Sequence, residues 1–179
     1  MKKFISVLLL SIVLFPMYSQ ESNYGWRKQL QDALPLYGHR NWILIVDMAY
    51  PLQSKPAIET VYTGEDQLLV VKTVLEAIDK APHVYPEVFL DMESDYVEET
   101  EAPGMEAYKQ KLDKLLAGLH VEKKLHEQLI AEVDEAAKTF NILVLKTNLT
   151  IPYTSVFLLL NCGYWNADQE KQMRERMKK

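Results

Sequence analysis

The chain sets its chemistry-bearing side chains in two short segments, each beside an apolar run. The first reads Gly38-His39-Arg40-Asn41, then Trp42-Ile43-Leu44-Ile45-Val46, then Asp47-Met48-Ala49-Tyr50-Pro51. The second reads Pro152-Tyr153-Thr154-Ser155 and runs into Val156-Phe157-Leu158-Leu159-Leu160. Histidine exchanges protons near neutrality because its unperturbed pKa is about 6.5. Tyrosine joins an apolar body to a polar tip, which suits a small polar ligand. His39 and Asp47 are separated by a strand of about six residues, so an extended segment holds them ~20 Å or more apart. One molecule uses both only if the His39 loop folds back or a neighbouring subunit supplies one of them. Plainer readings stand beside these: His39 as a loop residue, Asp47 as the cap of a following turn, Tyr153 as packing.

The segments must be positioned by strands and helices. Trp42 to Asp47 is a continuous apolar run that fits a strand buried on both faces. Asn141 to Lys146 and Ser155 to Leu160 read the same way, and Ala57–Tyr62 and Val88–Leu90 fit short strands. Helical spacing of apolar residues recurs over Asn23–Leu36, Gln67–Ile78, Met105–Leu119 and Leu125–Phe140. Alternation of these elements predicts a single α/β domain with a helix-covered β-sheet. Asp91 to Glu101 carries six acids. Their spacing lacks the central Gly of an EF-hand, so a solvated acidic loop is expected instead.

At 179 residues the chain is one domain's worth of sequence. Twenty Lys and Arg against 25 Asp and Glu leave a net charge of −5, which argues against a nucleic-acid binder. The single cysteine, Cys162, excludes an intrachain disulfide and a Cys-based zinc site; its apolar setting predicts a buried, inert thiol. Met1-Lys2-Lys3 followed by Phe4–Phe15 has the form of a secretory signal, with cleavage expected after Ser19. Expected, therefore, are a signal over 1–19, a domain over 20–166 and a charged tail over 167–179. The protein is expected to be secreted or periplasmic, with no stable membrane span after cleavage. Trp42 and Trp165 are expected to be buried.

The Gly38–Pro51 segment resembles the N-terminal signature of the D-ribose pyranase and L-fucose mutarotase family (RbsD/FucU). That signature is a Gly-His-x-Asp turn, an apolar strand, Asp-Ala and a nearby Pro. Lys146 to Gly163 resembles the family's closing Pro-Tyr-x-Asn and apolar strand, and Leu125-His126-Glu127-Gln128-Leu129 is similar to a His-containing helix of the ribose branch. The resemblance runs from about Trp26 to Tyr164.

It implies an RbsD/FucU-like α/β fold, a homo-oligomer built into rings, and sugar sites at subunit contacts. It also implies an isomerase that interconverts ring forms of a free aldose, ribose- or fucose-like, by opening its hemiacetal, with no metal and no cofactor. A base takes the anomeric hydroxyl proton while an acid protonates the ring oxygen. Carried over by position, His39 is the leading acid–base residue. Tyr153 contacts the sugar and relays a proton. Asp47, His126, Ser155 and Lys146 are the substrate-binding positions. A surface or core-facing helix histidine is the other reading of His126. Three positions depart from the pattern: Asn41 replaces the acid, Met48 the alanine and Ser155 the asparagine. Those departures keep a second reading open, a non-catalytic monosaccharide-binding protein serving sugar uptake.

Overall fold

The computed structural model describes residues 25–178. The signal expected over 1–19 lies outside them. Six strands form one mixed sheet: β1 (Trp42–Val46), β2 (Ile58–Tyr62), β3 (Val84–Asp91), β4 (Val121–Lys124), β5 (Ile142–Lys146) and β6 (Val156–Cys162). Their spatial order is β2-β5-β1-β6-β3-β4. The β1–β5, β2–β5 and β3–β4 pairs are parallel, whereas β6 runs antiparallel to both β1 and β3.

Alternate residues of a strand face opposite sides, so the central strands need cover on both. Helices α1 (Gly25–Ala33), α2 (Gln67–Asp79) and α3 (Met105–Leu115) cover one face. There Trp26, Leu30, Val71, Val74, Ile78 and Leu112 pack on Ile43, Ile45, Leu143, Leu145 and Val156. Helix α4 (His126–Ala136) covers the other, where Leu129 and Val133 meet Leu44, Val46, Val144 and Phe157. Each large apolar side chain buried this way contributes about 1.5–3 kcal/mol. A fifth helix, α5 (Ala167–Met177), holds the charged tail and buries no residue.

Two strands and two residues differ from expectation. Strand β3 begins at Val84, although Pro86 lies within it. Strand β4 pairs only with Val88–Asp91, so Val84–Glu87 keeps an open side where a missing N–H breaks no ladder. Strand β4 itself, Val-Glu-Lys-Lys, is a polar edge strand whose composition carries no strand signal. Cys162 ends β6 half-buried instead of inside the core. Trp42 is buried and tilted against Phe89, while Trp165 is 40% exposed with its indole N–H on Glu170.

Candidate functional site at the strand ends

Because β6 opposes its neighbours, its first residues sit beside the last residues of β1 and β3. The ladder pairs Val156 with both Ile45 and Leu90. It therefore sets Ser155 between Val46 and Asp91. The same row continues through Lys124 on β4, and through Lys146 and Tyr62 on the other side. Ligands of open α/β sheets bind beyond this edge.

Asp91 ends β3 with its side chain fully buried. Its Oδ1 lies 3.0 Å from His126 Nδ1. The backbone N–H of His126, at the start of α4, donates to both carboxylate oxygens of Glu93 at 3.0 Å. Glu93 belongs to the 3₁₀ turn Met92–Asp95 that follows β3. Ring and backbone of His126 are thus both held by the β3 end. Its side chain stays 36% exposed and meets the Tyr153 ring edge-on, with centroids 5.8 Å apart. Burial pushes the Asp91 carboxyl above the usual range, and the His126 contact pulls it back. The Asp91 hydrogen bond raises His126 above the usual histidine range; partial burial opposes it, and the charges of Asp91, Glu93 and Asp47 add to it. Groups this close titrate as a pair.

Tyr153 is 41% exposed and has φ +54, a left-handed backbone that costs a non-glycine residue of order 1 kcal/mol. A buried polar network holds that turn. Thr154 O accepts from Tyr108 OH at 2.8 Å and from Gln67 Nε2 at 2.5 Å, and Gln67 Oε1 accepts from Thr147 Oγ1 at 2.9 Å. Ser155 follows, 1% exposed. On the α3 side of Tyr153 opens a cavity of about 230 Å³, bordered by Ser94, Tyr108, Lys109, Lys123 and Ser155.

Asp47, half-buried, spends Oδ1 on its own turn: the Ala49 N–H donates to it at 2.7 Å. One strand spacing is ~4.8 Å, so the β1 and β3 ends, two spacings apart, are ~10 Å from each other. Lys146 lies one strand further out and donates to Tyr50 O at 2.7 Å. His39 is exposed at the opposite end of β1. Its loop does not fold back: Arg40 N–H donates to Leu160 O, and Leu160 N–H to Asn41 O. Asn41 has a job there that a carboxylate could not do alone. Its Oδ1 accepts the Gly38 N–H and its Nδ2 donates to Asn141 O. The edge therefore gathers Asp47, His126, Tyr153 and Ser155, keeps Lys146 at its flank and leaves His39 at the far end.

Asp91 and Glu93 escaped the sequence reading because they open a run of acids expected to be solvated. Asp95, Glu98, Glu99 and Glu101 are exposed as expected, and two of them also hold structure. Asp95 pairs with Lys123, and Glu99 accepts the Gly104 and Glu106 N–H groups at the start of α3. A signal was available: Phe89-Leu90-Asp91 repeats the grammar of Ile45-Val46-Asp47, an apolar strand closed by an acid. Among the described residues no group of three or more His, Cys, Asp or Glu side chains is placed to hold a metal ion.

The sequence matches no protein-family model and none of the curated proteins. Among solved structures it is similar to Bacillus subtilis RbsD complexed with D-ribose. The likeness covers 84% of this chain and 98% of that one, with a TM-score of 0.51 and 15% identity. This chain has the RbsD fold. A fucose mutarotase from Streptococcus pneumoniae, in complex with L-fucose, aligns with a TM-score of 0.47 and 13% identity over 82% of this chain and 98% of that one.

Proposed function

We propose that the protein is an exported monosaccharide mutarotase or pyranase acting on a free, ribose- or fucose-like aldose. One observation carries the reading. The RbsD fold, seen elsewhere with D-ribose bound, here brings Asp47, His126, Tyr153 and Ser155 to the strand edge where such folds take ligands. The reaction is reversible hemiacetal opening. A base removes the anomeric hydroxyl proton as the bond from C1 to the ring oxygen breaks, and an acid delivers a proton to that oxygen. The open-chain aldehyde then recloses on either face, or through another hydroxyl.

Asp47 binds sugar hydroxyls, and Ser155, 1% exposed, lines the cavity wall beside Tyr153. Tyr153 packs against the ring and relays a proton. Lys146 acts from the flank. His39, at the far end of its own subunit, enters the site of a neighbouring copy. Exposed apolar side chains surround the edge: Met48 and Leu52 after β1, Met92 and Tyr96 after β3, Leu125 before α4. They suit contact with a second copy in a homo-oligomer. The signal-like Met1–Ser19 segment supports export. Among the described residues no helix is long and apolar enough to cross a membrane.

Exchange NMR on ribose, fucose, galactose and glucose with the purified protein tests this reading. Faster interconversion of one sugar's ring forms, lost in His39→Ala, is expected. Unchanged rates across the panel retire it. Ser155, a shorter side chain than the Asn it replaces, favours the alternative of a non-catalytic sugar-binding protein, for which saturable binding without faster exchange is the signature.

A further inference from the structure

Hemiacetal opening moves two protons, one at each oxygen, and so needs two exchanging groups. His39 from a neighbouring copy supplies one. We propose that the second is His126, with Asp91 as the positioning residue that fixes its tautomer and aims its Nε2 at the sugar. This deepens the mutarotase reading and rests on it.

Three features of the geometry support it. First, an ionised carboxylate only accepts hydrogen bonds, so the 3.0 Å contact puts the imidazole proton on Nδ1 and leaves the Nε2 lone pair outward. Second, the ring has little freedom. Glu93 clamps its backbone N–H and Tyr153 lies against it edge-on. Third, Asp91 is dear to keep. Its Oδ2 is buried with no hydrogen-bond partner, in a chain that could close β3 with an apolar residue at lower cost. A fully buried carboxylate whose one contact is a half-exposed histidine beside the substrate edge is the arrangement that orients an acid–base imidazole.

In the forward direction Nε2 accepts the proton of one sugar oxygen, and the Asp91 carboxylate stabilises the imidazolium that forms. In the reverse direction Nε2 returns it. The charged and titratable groups around His126 are Asp91 and Glu93 from the β3 end, Asp47 from the β1 end, Tyr153 ahead of β6, Lys124 at the end of β4 and Glu127 on its own helix. Lys124 is itself engaged by Glu132.

The test uses the purified protein with ¹⁵N-labelled histidine and the aldose whose exchange it accelerates. In the wild type, His126 is expected as the Nδ1–H tautomer, titrating above free histidine. Asp91→Asn keeps size and shape. It is expected to lower that midpoint, to reduce the exchange rate about 10- to 100-fold with KM nearly unchanged, and to move the acid limb of the pH–rate profile to lower pH. In a His126→Gln background, adding Asp91→Asn is expected to cost nothing further, which separates positioning from general damage to the fold. An Asp91→Asn protein with midpoint and profile unmoved, or an equal rate loss in both backgrounds, overturns this assignment and leaves the mutarotase reading standing. A wild type that accelerates no aldose overturns both.

Discussion

Strands β1 and β3 both close with an aspartate at the same edge of the sheet, yet the two carboxylates live differently. Asp47 is half-buried and caps its own turn through the Ala49 N–H. Asp91 is fully buried and reaches out of its strand to His126, 35 residues away in sequence. The first is a local device that leaves an oxygen for a ligand. The second costs desolvation and returns an oriented ring. The contrast teaches that an acid closing an apolar strand has no fixed role. What packs over it decides. Asp91 lies under the start of α4, while Asp47 faces a loop.

The comparison can be broken hardest between the two ends, at the turn they share. Gln67 holds Thr154 and Thr147 from beneath. Gln67→Leu removes one hydrogen bond from each, leaving Thr154 O on Tyr108 and Thr147 Oγ1 on Val46 O, and is expected to lower stability by about 2 kcal/mol in urea unfolding. A loss under 0.5 kcal/mol would mean that the Tyr153 turn does not depend on that network. Next comes Asp47→Ala. Losing one charge-assisted contact to the sugar is expected to weaken binding by roughly tenfold, about 1.4 kcal/mol, in titration calorimetry. The pH–rate profile should move to lower pH far less than in Asp91→Asn, because Asp47 is the weakest of the charges that raise His126. A shift as large as that of Asp91→Asn would make the two ends alike.

Smaller and pH-dependent is the stability held by His126. Its folded pKa lies above the unfolded value, so its contribution is full below about pH 6.5 and fades as pH rises through the raised value. Glu65 has the opposite sign, because the hydrogen bond with Arg27 lowers its pKa. Its contribution is full above about pH 4.5 and is lost as pH falls through the lowered value. Unfolding free energies of His126→Gln and Glu65→Gln against wild type, from about pH 2 to 9, should show the His126 deficit closing at high pH and the Glu65 deficit closing at low pH, each at most about 1 kcal/mol. Deficits independent of pH would remove both ion pairs from the account. The smallest effect is expected at the far end of β1. Arg40 has φ +79, so Arg40→Gly relieves backbone strain and should raise stability by about 0.5 kcal/mol, offset in part by its weak contact with Phe140. A clear loss would show that the His39 turn leans on the Arg40 side chain.

The elements that bury both faces or one stripe are legible from residue types alone. Trp42–Val46, Ile142–Lys146 and the helices over 67–79 and 126–136 are legible because hydrophobic period and length are local properties. The two motif segments were legible too, and so was the separation of His39 from Asp47, since a strand's rise per residue sets it. Which strands are neighbours emerges only when the chain packs. Pairing is non-local: nothing in Val121-Glu122-Lys123-Lys124 announces an edge strand, and nothing near Asp91 announces His126. The antiparallel insertion of β6 between β1 and β3 brings Tyr153 and Ser155 to the ends of both. Composition marked Asp91 as one acid among six. Burial under α4, which no local pattern encodes, made it a partner for a histidine.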